Sequence, residues 1–380
     1  MKQAFFFLLM LMVVIGALHF LKAENTSQEK TDMKSIISVL ESHKIEHYVF
    51  SNSQENQFLV VPKFGARILA VSVGGENLFW THPDILKGQG GQRSWLSPEG
   101  GAKGFIFRAD WKGNRDFSMM DPGNYKVTFF KENEHLVLHN TFKTASNDGQ
   151  ENYDLTLTRE VRHEEDPLKD DPEFKGLSYD YLGIDFVHKL KNNGEAIYDR
   201  ILGLWCLIQI PPEGTMIVPV QEVKREAWRD TYFELIPSEY VKANSDSFSF
   251  YIHGSQRYKV GIRPESSQGI ICYISKAKSG DFFMVFMMFP VKPEGRYVDR
   301  PKREQETNGD AIQLYSHLEK GSLAFGELEC QSWGLDLKSA AEQAFPIKIY
   351  IYKDSLDVLQ KIGKKLLCPQ FDKAFLFGMN

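Results

Sequence analysis

The run ILGLWCLIQI, residues 201–210, is apolar on both of the faces that an extended strand would present. At ten residues between polar loops it suits a strand covered on both sides rather than one with a solvated face. DFFMVFMMFP (281–290) has the same character. Strands of this kind need a second layer, and two packed sheets follow. Outward from these two runs, residues 46 to 352 are short β-rich segments such as RILAVSV, YDLTLTREV, YKVGIRP and PIKIYIY, broken by Gly, Pro, Asn and Asp. About sixteen such segments at this spacing predict a large all-β antiparallel sandwich. No βαβ alternation and no dinucleotide or phosphate-loop glycine pattern is present.

Two helices bracket the strands. DMKSIISVLESHK (32–44) places Met33, Ile36, Ile37 and Leu40 at helical spacing behind a capping Asp32, and SLDVLQKIGKKLL (355–367) predicts a closing helix. Lys2, the apolar run Ala4–Leu21 and the polar KAENTSQEKTD read as an export segment. Residues 1–23 are expected to be a signal peptide or an uncleaved N-terminal anchor, 24–34 a linker and 35–380 one domain. The expected location is periplasmic or extracellular. A net charge of −5 without a long basic run argues against nucleic acid or anionic lipid as partner, leaving the membrane only through that N-terminal segment. The four cysteines, Cys206, Cys272, Cys330 and Cys368, lie too far apart for a metal-ligand pair or a small disulfide framework. No HxH or HExxH grouping supports zinc, and no cofactor is expected. Calcium in a carboxylate-rich loop stays open.

Chemistry concentrates in FGELECQSWG (325–334). Period-two alternation puts Phe325, Glu327, Glu329 and Gln331 on one face, with small and apolar residues on the other. Two carboxylates then lie roughly 7 Å apart at Cα. Their mutual repulsion would raise one pKa toward the range of a general base; buried salt bridges are the alternative use. GGQRSWLSPEGG (90–101) supplies partners. Arg93 offers a planar five-donor fork, Trp95 a flat face for a pyranose, and Glu99 an acceptor for Arg93 or a hydroxyl. The glycines would let the chain turn at a cleft edge; a plain hairpin with Trp95 plugging the sandwich is the alternative. RADWKGNRDF (108–117), RHEEDPLKDDPEF (162–174) and PEGRYVDRPKREQETNGD (293–310) are solvated loops or cleft walls. His188 and His253 each occur singly in strand patterns, where a structural role is the commoner one.

These motifs resemble a known family. VVPKFGARILAVSVGGENLFW (60–80) resembles the opening hairpin of galactose mutarotase (aldose 1-epimerase)-like proteins, GGQRSWLSPEGG a segment of an exported, mostly bacterial branch of that superfamily, and NGDAIQLY (308–315) with GELECQS (326–332) its closing strands. The resemblance spans about residues 35 to 352. It implies a β-supersandwich with a sugar cleft on the concave face of one sheet. It places Glu329 at the general-base position and Arg93 at a sugar-contacting one; Arg67 in the Gly65-Ala66-Arg67 turn and Asp310 join the candidate substrate-binding set. The family's acid histidine belongs on the strand that here reads RILGLWCLIQI, where Trp205 and Cys206 stand instead. Trp205 would give a second stacking surface. Unless His188 on the preceding strand, or an insertion residue, replaces that acid, mutarotation would be slower by roughly 100-fold or more.

The expectation is therefore an exported carbohydrate-binding or carbohydrate-active protein acting on a mono- or oligosaccharide. Glu329 and Glu327 would transfer protons in an aldose 1-epimerase-like isomerase. A non-catalytic glycan-binding module and a structural or interaction module are the alternatives.

Overall fold

The computed structural model describes residues 32–380 apart from 197–200, 222–226, 245, 305–306, 320, 339–340, 373–375 and 378–380. The expected signal segment and residues 24–31 of the linker lie outside the described residues. Among the described residues, 21 strands, numbered here in chain order, form two antiparallel sheets.

The first sheet runs β1 (Tyr48–Ser51), β2 (Gln57–Val61), β3 (Arg67–Val73), β5 (Gln92–Ser97), β10 (Ile201–Ile210), β19 (Gly326–Gln331), β18 (Ile312–Ser316), β15 (Tyr258–Ile262) and β12 (Trp228–Arg229). Short β4 (Glu76–Asn77) joins β3, and β20 (Leu335–Asp336) joins β10. The second runs β13 (Val241–Ala243), β14 (Ser247–Ile252), β11 (Gly214–Pro219), β16 (Ile270–Lys276), β17 (Phe282–Met288), β21 (Glu342–Asp354), β9 (Asp180–Asn192), β8 (Asn152–Glu164), β7 (His135–Ala145) and β6 (Lys126–Lys131). The predicted all-β sandwich is the observed architecture.

The main core lies between the sheets. Leu96, Cys206, Ile208, Leu328 and Cys330 from the first pack in one cluster with Leu157, Phe186, Val285, Ile349 and Ile351 from the second. The two strands that predicted this layering differ in what covers their other faces. Met284 and Phe286 of β17 join a second cluster under the C-terminal helix α2 (Leu356–Leu366) and the segment carrying Leu168 and Phe174. The insertion 162–174 thus contributes cover for the second sheet rather than a wall of the candidate site. The outer face of β10, with Trp205, Leu207 and Gln209, instead carries the polar cluster described below.

Helix α1 (Met33–Ser42) follows the predicted spacing, with Asp32 accepting from the Ser35 amide at 2.7 Å and Met33, Ile36 and Leu40 buried against β2 and β3.

One departure from expectation sets up the site. GGQRSWLSPEGG does not form a turn: Gln92–Ser97 is an inner strand of the first sheet. Its glycines act at the entry, where Gly91 has φ +65° and a Cβ there would lie 2.0 Å from the Ile68 carbonyl oxygen. Only glycine lets β5 come this close to β3.

Candidate functional site

Register decides which side chains meet. Across β5, β10 and β19, Arg93 faces Leu207 and Leu207 faces Glu329; Trp95 faces Trp205 and Trp205 faces Gln331; Gln209 faces Glu327. Directly opposed residues of an antiparallel pair share a face, so Arg93, Trp95, Trp205, Gln209, Glu327 and Glu329 all lie on the outer face of this sheet. On the flanking strands the same face carries Gln313 and Tyr315 of β18, Lys259 of β15 and Arg229 of β12.

At the centre, Glu329 Oε2 accepts from Trp205 Nε1 at 2.6 Å and from Lys259 Nζ at 3.0 Å. Its second oxygen, Oε1, is buried and has no partner. Glu327 Oε1 accepts from Arg93 Nη2 at 3.0 Å and Gln209 Nε2 at 2.9 Å. Arg93 Nε and Gln209 Oε1 are likewise buried without partners. Buried polar atoms are nearly always satisfied; others such as Gln92 Oε1 and Arg159 Nε also lack a partner, and these three stand together on neighbouring strands of one face.

Above the sheet, Glu99 Oε1 stands 3.7 Å from Lys259 Nζ, and its backbone N–H donates to Asp299 Oδ1 at 2.9 Å. Asp299, from the insertion 293–310, also accepts from Gln313 Nε2 at 2.7 Å. Burial pushes the Glu329 carboxyl up to about 7, with Lys259 opposing and Glu327 adding to the rise. Burial likewise raises Glu99 to about 8 against Lys259, with Asp299 and Glu329 adding to it. Perturbation of this size by burial and named charges marks functional-site candidates.

The expected sugar-stacking surfaces are already occupied. The Arg93 guanidinium lies 3.7 Å over the Trp95 ring, Phe117 and Trp205 meet that ring edge-on, and Trp95 Nε1 donates to Asp121 at 2.6 Å. Lys259 Nζ lies 4.9 Å over Trp205. Both tryptophans are buried. They act as cation–π platforms holding the cations that face the carboxylates.

Arg67 lies beside Arg93 but is saturated by the Phe64 and Gly90 carbonyls and by Asp121 at 2.7 Å. Asp310 is enclosed by Arg229 at 2.7 Å and by Tyr232; burial raises it to about 6, with Arg229 opposing. Both residues support the face rather than present atoms to it. His188 does not join the site. It is fully buried on the other side of the sheet, between the layers, with Nε2 3.1 Å from Ser94 Oγ, which in turn contacts Cys206 Sγ at 3.1 Å. Glu329 lies on the outer face of the first sheet, so the two side chains do not meet.

Sequence reasoning missed Lys259, Gln209, Asp299 and His317. His317 follows Tyr315 on this face; its ring stacks on Phe325 at 4.3 Å and its Nδ1 meets the Tyr315 hydroxyl at 2.9 Å. Burial lowers its pKa, with Glu327 opposing. A cation or histidine at alternate positions of an apolar strand was the available signal. The insertion 293–310 also walls a cavity of about 440 Å³, with Pro98 and Lys103 facing Tyr297 and Arg300. Among the described residues no group of three or more His, Cys, Asp and Glu is arranged to hold a metal ion.

Fold and site together define an all-β sandwich protein with an enclosed cluster of carboxylates and cations on one sheet. The chain belongs to the family of unknown function DUF6786, whose model matches residues 32–374. Solved structures similar to the chain include a galactose mutarotase-like protein from Lactobacillus casei (11% identity, 80% of this chain and 100% of that one, TM-score 0.45). Galactose 1-epimerase from Lactobacillus acidophilus is another (10% identity, 80% and 94%, TM-score 0.46). No curated protein matches the chain.

Proposed function

We propose that this protein is an exported carbohydrate-binding protein that binds a saccharide through Arg93, Gln209 and Glu329 and uses Glu329 as general base at a sugar carbon. The observation that carries the reading is the set of three buried, unpartnered atoms: Arg93 Nε, Gln209 Oε1 and Glu329 Oε1. Two are acceptors and one is a donor. Hydroxyl groups, each both donor and acceptor, satisfy such a set. The backbones of Arg93 and Glu329 are two strand spacings apart, about 10 Å, so the three atoms lie within the span of one small ligand. A base with a pKa near 7 works at neutral pH, where it is partly ionised and still accepts a proton effectively.

The reading is tested with Glu329→Gln against a panel of aldopyranoses including D-galactose. Anomeric exchange is followed by NMR and binding by calorimetry. Loss of exchange with affinity kept within a few fold supports a base. Equal loss of both reduces the site to binding, and no affinity of the wild-type protein for any saccharide refutes the proposal.

A further inference from the structure

One ammonium serves two enclosed carboxylates at this face. Lys259 Nζ lies 3.0 Å from Glu329 and 3.7 Å from Glu99, and the three side chains are 3%, 0% and 6% exposed. The nearby cations are engaged elsewhere: Arg93 by Glu327 at 3.0 Å, and Arg229 by Asp310 and Glu304, each at 2.7 Å. Asp299 brings a further carboxylate, whose contacts with the Glu99 amide and Gln313 are to neutral donors. Two tyrosines complete the titratable neighbours: Tyr232, 5.3 Å from Lys259 at its ring, is held as the neutral phenol by burial and by Asp310, and Tyr315, opposite Lys259 on β18, is pushed up to about 12 by burial. A second uncompensated negative charge in such surroundings costs several kcal/mol, and two carboxylates this close to one another resist joint ionisation.

We infer that Glu99 and Glu329 hold a single proton between them across Lys259 at neutral pH, so that one face presents a carboxylic acid and a carboxylate together. The raised pKa values of both groups agree with this arrangement. Glu99 is held in place for the role, its N–H on Asp299 and its carbonyl accepting from the Ile106 and Phe107 amides at 3.0 and 2.8 Å. The proton count stands on these charges alone; its use, with Glu99 donating while Glu329 accepts, rests on the proton-transfer reading above. The pair then supplies an acid that does not depend on an imidazole.

Infrared spectroscopy of the full chain, without saccharide, tests the inference. At pH 7.5, where Asp310 is mostly ionised, the wild-type protein should show the C=O stretch of a protonated carboxyl, fading as the pH is raised past about 8. Glu99→Gln and Glu329→Gln should each lack the band, because each leaves a single carboxylate paired with Lys259, while Asp299 keeps its neutral donors, the residue-99 amide and Gln313, in every variant. Should either fail to fold, Lys259→Met should give a stronger band at the same pH. A wild-type protein without the band, a band that survives in either glutamine variant, or an unchanged band in Lys259→Met overturns the inference. The saccharide proposal is read separately: a wild-type protein with the band and no affinity for any aldopyranose keeps the shared proton and loses the function, and the converse result does the reverse.

Discussion

Lys259→Met offers a measurement of what the central ammonium contributes. Methionine roughly reproduces the lysine stem, so the substitution removes the charge while keeping most of the packing against Trp205. Glu329 loses a donor at 3.0 Å and Glu99 its ion pair at 3.7 Å. Breaking a buried ion pair from one side costs about 3–5 kcal/mol. The pH dependence identifies the cause. Both carboxyls already have folded-state pKa values above 4.5, and removing the ammonium raises them further. A group with a raised pKa contributes stability that is complete below its unfolded value and is lost as the pH rises through its folded value. At pH 4 both carboxyls can stay neutral in the variant, so it should lie within about 1 kcal/mol of wild type, whereas at pH 8 the deficit should reach about 3–5 kcal/mol. Guanidinium unfolding of both proteins at the two pH values gives the difference directly, and groups common to both cancel. A deficit of equal size at pH 4 and pH 8 would show that lost packing, not charge, is responsible, and would refute the reasoning.

Two further outcomes follow from the geometry. Gly91→Ala forces a Cβ to within 2.0 Å of the Ile68 carbonyl at a φ of +65°; because the obstruction is backbone, the loss should exceed about 2 kcal/mol in chemical denaturation, and an unchanged midpoint would mean that β3 and β5 do not approach so closely. Asp310→Asn leaves the enclosed Arg229 with Glu304 as its remaining carboxylate and should cost about 3 kcal/mol or more at pH 8, read as a thermal shift, with no loss indicating that the pair is solvated.

The layered fold was legible because the decisive strands are apolar on both faces, a pattern that water does not permit. The carboxylate pair was legible for a similar reason: Glu327 and Glu329 alternate with residues that belong in a core. β5 was not legible. Its inward residues Gln92 and Ser94 meet a polar seam, where the fully buried Arg159 donates to the Ser94 carbonyl and His188 meets the Ser94 hydroxyl. With polar residues on both faces the segment reads as a loop, although much of that polarity is taken up by distant parts of the chain, Arg159 and Glu327 among them. Lys259 was hidden in the opposite way. A lysine alternating with apolar residues in YKVGI reads as solvent-facing, and the loops that cover it come from residues 98–122 and 293–310, distant in sequence. The rings of Trp95 and Trp205 lie in the same cluster as Glu327 and Glu329, but their faces take protein cations. Residue types do not reveal which partner occupies an aromatic face.

The position of β10 between β5 and β19 also orders events in time. Arg93–Glu327 and Ser97–Gln331 each join residues 234 apart, and Trp205–Glu329 joins residues 124 apart. During synthesis at about 5–20 residues per second, β10 therefore waits on the order of ten seconds after its own emergence before β19 exists. Through that interval an apolar strand offers an open hydrogen-bonding edge, the element most prone to pair with another chain. The cluster that would act on a ligand thus sits at a seam of its sheet that closes late, once residues 326–336 have been made.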